Sequence, residues 1–237
     1  MPEYSCSFFS ISKKKNLKNQ DSILAPLRIN EQIIFAVADG VGGHPGGEIA
    51  SQFATSSLQN LYFNNQHLSL RAALTNIQFK MKTLVTELKA PPTMATTLTC
   101  CILNEKKFSL AHTGDSRCYR VRDTNWELLT KDQTELQELY DRKIFTKKQL
   151  KKYPNSKLSA ALSPQLDVKA EFSKHDLIPN DIIVLMTDGV HKVLTPKTMP
   201  GPKASISTFS ICEALKRRAQ NAGPIDDYSA IALQFIE

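Results

Sequence analysis

The feature that most constrains this fold is a series of apolar runs that have the length of strands and are mostly too short for helices. They occupy residues 31–38, 96–103, 107–112, 116–122, 181–187 and 229–236. Asn104-Glu105 and Gly114-Asp115 supply turn residues between the second, third and fourth runs, which follow one another at hairpin spacing. The sequence therefore predicts consecutive antiparallel strands, with a hairpin turn at Gly114-Asp115.

Helical patterns lie between and after these runs. Residues 70–88 carry the apolar stripe of an amphipathic helix, at Leu70, Leu74, Ile77, Met81, Leu84 and Leu88. Further helices are expected at 47–62, at 134–152, which is polar, and at 209–221, before Gly223-Pro224. Grouped helices and consecutive antiparallel strands favour an α+β fold, with residues 1–237 forming one domain.

Composition narrows the class of protein. The chain has 237 residues, a net charge of +7, and basic residues that are scattered rather than interleaved with aromatic ones, so a nucleic-acid partner is not expected. No apolar run approaches the ~20 residues of a membrane span, and the N-terminus lacks the order of a signal peptide. The five cysteines fit neither a zinc site nor a disulfide scaffold and are expected to be reduced. We expect a cytoplasmic monomer that makes no membrane contact.

Acidic residues stand at the ends of several apolar runs. They are Asp21, Asp39, Asp115, Asp188, Asp226 and Asp227. A single Asp-Gly pair is explained by turn chemistry, because Asp bonds nearby backbone and Gly accepts a positive φ. As a set, they can bring carboxylates together at one edge of a sandwich, where their mutual repulsion favours a divalent cation. Carboxylate, carbonyl and water oxygens suit Mg²⁺ or Mn²⁺.

A set of motifs extends along nearly the whole chain in order. It reads VADGVGGHPGGEIAS, MATTLTCCIL, LAHTGDSRCYRV, LTKDQT, LSAALS, VLMTDGV and DDYSAIAL. The set resembles the PPM (type 2C) family of metal-dependent protein serine/threonine phosphatases, in its compact bacterial form. The resemblance implies a central antiparallel β-sandwich flanked by helices, in α-β-β-α layers. It also implies hydrolysis of phosphoserine and phosphothreonine by direct attack of a hydroxide that bridges two metal ions.

The resemblance further implies a site that holds two or three Mn²⁺ or Mg²⁺ ions. It assigns metal-binding positions to Asp39, Gly40, Asp188, Asp226, Asp115 and Asp21. Asp39 bridges two ions, the carbonyl of Gly40 holds one of them, Asp115 helps to bind a third ion, and Asp21 acts through water. Asp39 and Asp188 are thereby catalytic. His44 is either a general acid that protonates the leaving oxygen or a structural loop residue.

The chain departs from the family pattern at the phosphate-binding position. Asn16 stands where an arginine is usual, which removes a charged bidentate contact, and Lys15 or Lys18 is the candidate replacement. Gln20 replaces a carboxylate, and Gln133 stands where a histidine is common. These changes predict an active enzyme with weakened phosphate binding.

A flap is expected at about residues 131–163, bordering the cleft and tuning the choice of substrate. The expected partner is a phosphorylated protein, with the enzyme opposing a serine/threonine kinase. Two alternatives remain open at this stage. One is a catalytically weakened relative that binds phosphoproteins or regulates a partner, and the other is a basic nucleic-acid-binding protein.

Overall fold

Two five-stranded antiparallel sheets form the centre of the computed structural model, which describes residues 3–41, 46–123, 125–150, 157–194, 199 and 207–236. The first sheet contains, in spatial order, β1 (Tyr4–Ile11), β10 (Tyr228–Phe235), β9 (Ile182–Met186), β6 (Arg117–Arg122) and β7 (Asn125–Leu128). The second contains β2 (Asp21–Ile29), β3 (Gln32–Asp39), β4 (Leu98–Asn104), β5 (Lys107–Thr113) and β8 (Glu171–Asp176). Each paired strand in both sheets runs antiparallel to its neighbour.

Helices cover the outer faces of the sheets. In chain order they are α1 (Gly47–Asn64), α2 (Leu70–Leu88), α3 (Glu135–Asp141), α4 (Lys147–Leu150), α5 (Asp188–His191) and α6 (Thr208–Asn221). The helices α1 and α2 pack on the second sheet, and α6 packs on the first. These layers confirm the predicted α-β-β-α sandwich. Among the described helices, none has both the length and the apolar character needed to cross a bilayer.

The strand β3 shows how the central layers are held together. Ile33, Phe35 and Val37 point into the core between the two sheets, whereas Ile34 and Ala36 point toward the helices. Successive side chains of a strand face opposite sides, so a strand covered on both faces is apolar throughout. The C-terminal end of β3, which carries Asp39, is therefore held by packing on both faces of the strand.

The predicted hairpin at Gly114-Asp115 is wrong. Strand β5 pairs in the second sheet and β6 in the first, so these two residues belong to a crossover between sheets. Gly114 has a φ of 106°, which a residue with a side chain rarely adopts. Both strands are largely buried and read as apolar runs, so their pattern could not reveal that they lie in different sheets.

The single helix predicted at 134–152 is also wrong. Two short helices, α3 and α4, replace it, and residues 151–156 lie outside the described part of the chain. Lys143 follows α3 with a φ of 58°, a left-handed conformation that ends the helix. The polar composition leaves no continuous apolar stripe to hold one long helix against the core.

Four strands were not predicted, namely β1, β2, β7 and β8. Each lies at the edge of its sheet. In β2 the register shifts between Leu24 and Leu27, around Pro26, and β8 carries charged residues. Edge strands tolerate proline and charge because one side of the strand needs no ladder partner, and this weakens their apolar signal.

The five cysteines differ in their exposure. All five are free, and Cys100, Cys101, Cys118 and Cys212 are buried, while Cys6 is exposed. Burial raises the pKa of Cys100 to about 12, so this thiol remains protonated at neutral pH. Cys100 is therefore a packing residue rather than a nucleophile.

Candidate metal centre

Acidic side chains from both sheets meet at one end of the sandwich. Asp21 and Asp39 lie directly opposite each other where β2 begins and β3 ends. Asp188 opens α5 immediately after β9 of the other sheet, and Asp115 lies in the crossover between β5 and β6. The charges of Asp21, Asp188 and Asp115 all act on Asp39. The fold thus brings together four of the acidic residues that the sequence singled out.

The backbone of Asp39 is held by two threonines before β4. The Asp39 amide donates to Thr97 Oγ1 over 3.0 Å, and the Asp39 carbonyl accepts from the Thr97 amide and from Thr96 Oγ1, both over 2.9 Å. Burial, followed by the nearby carboxylate charges, raises the pKa of Asp39 well above its usual range. The backbone is therefore rigid, while the carboxylate has a strong demand for positive charge.

Gly40 lies where the chain leaves β3 and leaves no room for a side chain. A Cβ added there would lie 2.4 Å from the carbonyl carbon and oxygen of Gly47 and 2.7 Å from the Gln20 carbonyl oxygen. The Gly40 amide donates to that Gln20 carbonyl over 3.1 Å. Glycine is required here for close packing of three backbone segments, whereas the role of its carbonyl as a metal ligand remains a prediction.

Asp21 is hydrogen-bonded to Thr187, which follows β9 of the opposite sheet. Thr187 Oγ1 donates to Asp21 Oδ2 over 2.8 Å, and the Asp21 amide donates to Asn19 Oδ1 over 3.0 Å. Burial raises the pKa of Asp21 to about 8, and hydrogen bonding lowers it only in part. Within the described structure, Asp21 Oδ1 is buried and has no hydrogen-bond partner.

Asp188 is contacted by a lysine that is not among the predicted site residues. Lys192 Nζ lies 2.5 Å from Asp188 Oδ2 and 4.0 Å from Asp115 Oδ2. Burial opposes the charge of Lys192, but the neighbouring carboxylates outweigh it and raise the pKa of the lysine. The other oxygen, Asp188 Oδ1, is buried and unpartnered among the described residues. The i,i+4 spacing from Asp188 was the signal that could have identified Lys192.

The crossover loop is anchored by a buried histidine. His191 Nε2 donates to the Asp115 carbonyl over 2.9 Å. Burial, together with the charge of Arg117, lowers the pKa of His191 to about 4, so the ring is neutral at neutral pH. Burial and the charge of Asp188 raise the pKa of Asp115 to about 7, although Lys192 lowers it in part. His191 thus fixes the position of Asp115 by a hydrogen bond to the main-chain carbonyl of Asp115.

The pair Asp226-Asp227 divides into two different environments. The Asp227 carboxylate is buried and accepts from the Lys13 amide over 2.8 Å and from the Gln20 amide over 2.6 Å. The side chain of Asp226 is 43% exposed and lies 3.0 Å from Lys13 Nζ. Asp227 therefore joins the N-terminal loop to β10, and Asp226 lies at the rim of the acidic cluster.

The donor set fits hard divalent cations. It consists of carboxylate oxygens, two of which, Asp21 Oδ1 and Asp188 Oδ1, are buried without a partner in the described structure. Over the same residues, no three Asp, Glu, His or Cys side chains already form a complete metal-binding set. Lysine ammonium groups instead contact Asp188 and Asp226. Metal binding at those two residues would therefore require these ammonium groups to move or to share the carboxylates.

A cleft of about 420 Å³ opens beside this cluster, lined by residues that include Lys13, Lys18, Gln20, Glu48 and Asp227. Of the two predicted phosphate contacts, Lys18 lines the cleft and pairs with Glu48 over 3.1 Å, whereas Lys15 is exposed and is not among the lining residues. Lys13, the first residue of the basic run, was missed. His44 lies outside the described residues.

The first residues of the predicted flap are tied to the crossover loop. The Gln133 amide donates to the Gly114 carbonyl over 2.8 Å, and the Gly114 amide donates to Gln133 Oε1 over 2.9 Å. Arg117 binds both carboxylate oxygens of Asp132, over 2.8 and 2.7 Å. Gln133 thus holds the loop that carries Asp115. The flap over about 131–163 remains a prediction, and 151–156 lie outside the described residues.

The family can be assigned from a match over most of the chain. The family model described as "Protein phosphatase 2C" matches residues 12–223. The chain belongs to the protein phosphatase 2C family. This match includes Asp21, Asp39, Asp115 and Asp188 but ends before Asp226 and Asp227, and it confirms the resemblance seen in the ordered motifs.

Related proteins agree with the protein phosphatase 2C assignment. The serine/threonine protein phosphatase PstP of Mycobacterium tuberculosis is 29% identical over 185 residues, which are 76% of this chain and 35% of PstP. This chain therefore matches about a third of the length of PstP. The protein phosphatase PhpP of Streptococcus pneumoniae is 24% identical over 232 residues, which are 94% of each protein.

Solved structures with a similar fold include one that covers the whole chain. It is the catalytic domain of PstP in complex with two manganese ions, and it superposes with a TM-score of 0.81 at 24% identity over 100% of both chains. At this level of identity the likeness establishes the fold.

Proposed function

We propose that this chain is a metal-dependent protein phosphatase that hydrolyses phosphoserine and phosphothreonine in proteins. The observation that carries the proposal is the convergence of Asp21, Asp39, Asp115 and Asp188 from two sheets onto one end of the sandwich. Burying so many carboxylates together is costly without a compensating cation. The family assignment and the manganese ions in the PstP structure support the same reading.

The residues that would hold two Mn²⁺ or Mg²⁺ ions are Asp39, Asp188 and Asp226, with the Gly40 carbonyl, and with Asp21 acting through water. When bound, such ions supply an activated water at neutral pH and neutralise charge on the phosphoryl group. The threonines before β4 keep Asp39 in place. Thr187 fixes Asp21 against the opposite sheet. The protein's part is thus to hold oxygen ligands in a preorganised geometry.

The cleft beside the cluster supports binding of a phosphorylated segment. Lys13 and Lys18 line it, and each is paired with a carboxylate, Asp226 and Glu48 respectively. A lysine is a mobile point charge, so either ammonium group can turn toward a phosphate that enters the cleft. A phosphorylated protein is therefore the proposed substrate.

We further propose a cytoplasmic enzyme that opposes a serine/threonine kinase. The free, mostly buried cysteines support a reducing compartment.

Manganese-dependent hydrolysis of a phosphothreonine peptide tests the proposal. The full chain should release phosphate with Mn²⁺ and lose that activity with EDTA. Asp39→Asn and Asp188→Asn should each reduce kcat by at least about 10²-fold, because a neutral amide binds a divalent cation less well than a carboxylate does. Asp176→Asn is the matched control, since Asp176 is an exposed residue of β8, and it should retain wild-type activity.

The absence of manganese-dependent hydrolysis at every pH would overturn the proposed activity. Binding of the phosphopeptide without hydrolysis would then favour the weakened, phosphoprotein-binding relative. Equal losses in Asp176→Asn and Asp39→Asn would show that the effect of the latter is not specific to the site.

A further inference from the structure

The ammonium group of Lys192 lies between two acidic side chains of the proposed metal centre. Its Nζ is 2.5 Å from Asp188 Oδ2 and 4.0 Å from Asp115 Oδ2. The family resemblance implied that Asp115 helps to bind a third, weaker metal ion, and it did not link Asp188 to that ion. In this chain a cation that belongs to the protein already lies beside Asp115 and Asp188.

The backbone keeps this lysine in register with the site. Lys192 is the residue that follows α5, and its amide donates to the Asp188 carbonyl over 2.9 Å. Its side chain then returns along the same turn to the Asp188 carboxylate, which is an i,i+4 pairing. The side chain of Lys192 is only 34% exposed, so the pair is shielded from water on most sides.

The two oxygens of Asp188 have different surroundings. Oδ2 accepts from Lys192, whereas Oδ1 is buried and has no partner within the described part of the chain. One oxygen is therefore free to bind a metal ion shared with Asp39, and the other is already neutralised. Asp115, whose Oδ2 is also near the ammonium group, would have to share any third divalent ion with a fixed positive charge.

We propose that Lys192 is a built-in substitute for the third metal ion, so that this phosphatase binds two divalent ions and Asp115 pairs with lysine instead of metal. The inference rests on the proposed function and deepens it. Lys192 is a positioning residue, because it sets the charge on Asp188 and Asp115 without touching the reacting phosphate. A tethered cation cannot be removed by dilution or chelation, so this part of the site is independent of the free metal concentration.

Counting bound Mn²⁺ by equilibrium dialysis and elemental analysis tests this inference on the full chain. The wild-type protein should bind two Mn²⁺, and Lys192→Met should bind three, the third more weakly. Lys192→Arg retains the charge and should remain at two. Asp115→Asn should leave the wild-type count at two but should abolish the third site in the Lys192→Met background.

The thermal midpoint of the metal-free protein provides a second readout. Lys192→Met should lower the midpoint in EDTA, because the carboxylates lose their neutralising charge, and saturating Mn²⁺ should raise it by more than it does in the wild type. Lys216→Met is the matched control, since Lys216 makes a similar 2.5 Å pair with Glu213 on α6. That variant should bind two Mn²⁺ and respond to Mn²⁺ as the wild type does.

Three bound Mn²⁺ in the wild type, or only two in Lys192→Met, would overturn this inference even if the enzyme is active. Loss of folding in Lys192→Met does not remove the test, because the wild-type count and the Asp115→Asn count still decide it. Failure of the proposed function is a separate result, seen as a wild-type chain that hydrolyses no phosphopeptide with Mn²⁺.

Discussion

The hydroxyl of Thr187 donates a hydrogen bond to the Asp21 carboxylate over 2.8 Å, and this bond joins the two sheets at the candidate metal centre. Thr187 follows β9 of the first sheet, and Asp21 opens β2 of the second. The Ser229 amide donates in turn to Thr187 Oγ1 over 3.0 Å. All three groups are buried, so the position of Asp21 depends on a hydrogen-bonded chain between the layers.

Replacing Thr187 with valine should destabilise the protein. Valine has nearly the same shape but leaves the buried Asp21 oxygen without its donor, and an unsatisfied buried acceptor costs about 1–3 kcal/mol. Thr187→Ser keeps the hydroxyl and should lose less than half as much. Urea denaturation of both variants gives the comparison. Equal free energies of unfolding for the serine and valine variants would contradict the assigned role of the hydroxyl.

Replacing Gly40 with alanine should be among the most damaging single-methyl changes in this chain. The new Cβ would lie 2.4 Å from Gly47 backbone atoms, which cannot rotate away as a side chain does. Overpacking of this kind costs about 3 kcal/mol or more. Gly223→Ala is the control, because nothing lies within 4 Å of its added Cβ and only the φ of 77° costs about 1 kcal/mol. Similar melting points for the two variants would argue against the predicted steric clash.

Acid should destabilise the protein partly through His191. Its pKa is about 4 in the folded protein, below the ordinary value near 6.5, so the unfolded chain takes up the proton first as the pH falls. The stabilisation is complete above pH 6.5 and is lost as the pH falls toward 4, up to about 3 kcal/mol. His191→Gln can donate to the same Asp115 carbonyl and does not titrate. Its unfolding free energy, measured in EDTA, should therefore fall less steeply over this range.

The control for this pH experiment is His67→Gln, because His67 is exposed. It should follow the wild-type profile between pH 4 and 6.5. If His191→Gln also followed that profile, protonation of His191 would not contribute to the acid sensitivity.

Installing an arginine at position 16 should strengthen substrate binding. Asn16 is exposed in the loop between β1 and β2, whose residues Lys13 and Lys18 line the cleft. A guanidinium can bind phosphate through two hydrogen bonds, so Asn16→Arg should lower KM for a phosphopeptide about 3- to 10-fold with little change in kcat. Asn76→Arg, on an exposed position of α2, adds the same charge and should leave KM unchanged. A KM for Asn16→Arg equal to that of the wild type would count against the missing contact.

Six strands and the helix α2 could be predicted from the sequence, because each forms from a short stretch of chain with its own hydrophobic pattern. The apolar runs at β3, β4, β5, β6, β9 and β10 and the periodic stripe of α2 predicted those elements close to their observed bounds. The edge strands were not predicted, because a strand with a ladder partner on only one side tolerates proline and charge. An example is β2, which contains Pro26 and a shifted register. The crossover at Gly114 was not predicted, because a short polar connection between two buried strands has the same spacing as a hairpin.

The sequence identified the acidic residues of the candidate site but not which of their carboxylates are buried and which lie at the rim. Asp21, Asp39, Asp115 and Asp188 act on one another as expected, whereas Asp226 lies at the rim and its neighbour Asp227 is buried. Both residues precede β10, and Asp227 is the inward one because its carboxylate accepts hydrogen bonds from the amides of Lys13 and Gln20, which are far away in the chain.

By itself, the sequence determined which residues are candidates for the chemistry and which segments form most of the core. It did so because strand pattern, helix periodicity and the ordered acidic motifs are properties of short stretches of chain. Only the tertiary structure decided which sheet each strand joins and how Thr187 fixes Asp21 across the layers. It also decided that Lys192 lies between Asp188 and Asp115. These contacts depend on distances between residues far apart in the chain, and such distances exist only after the two sheets have packed.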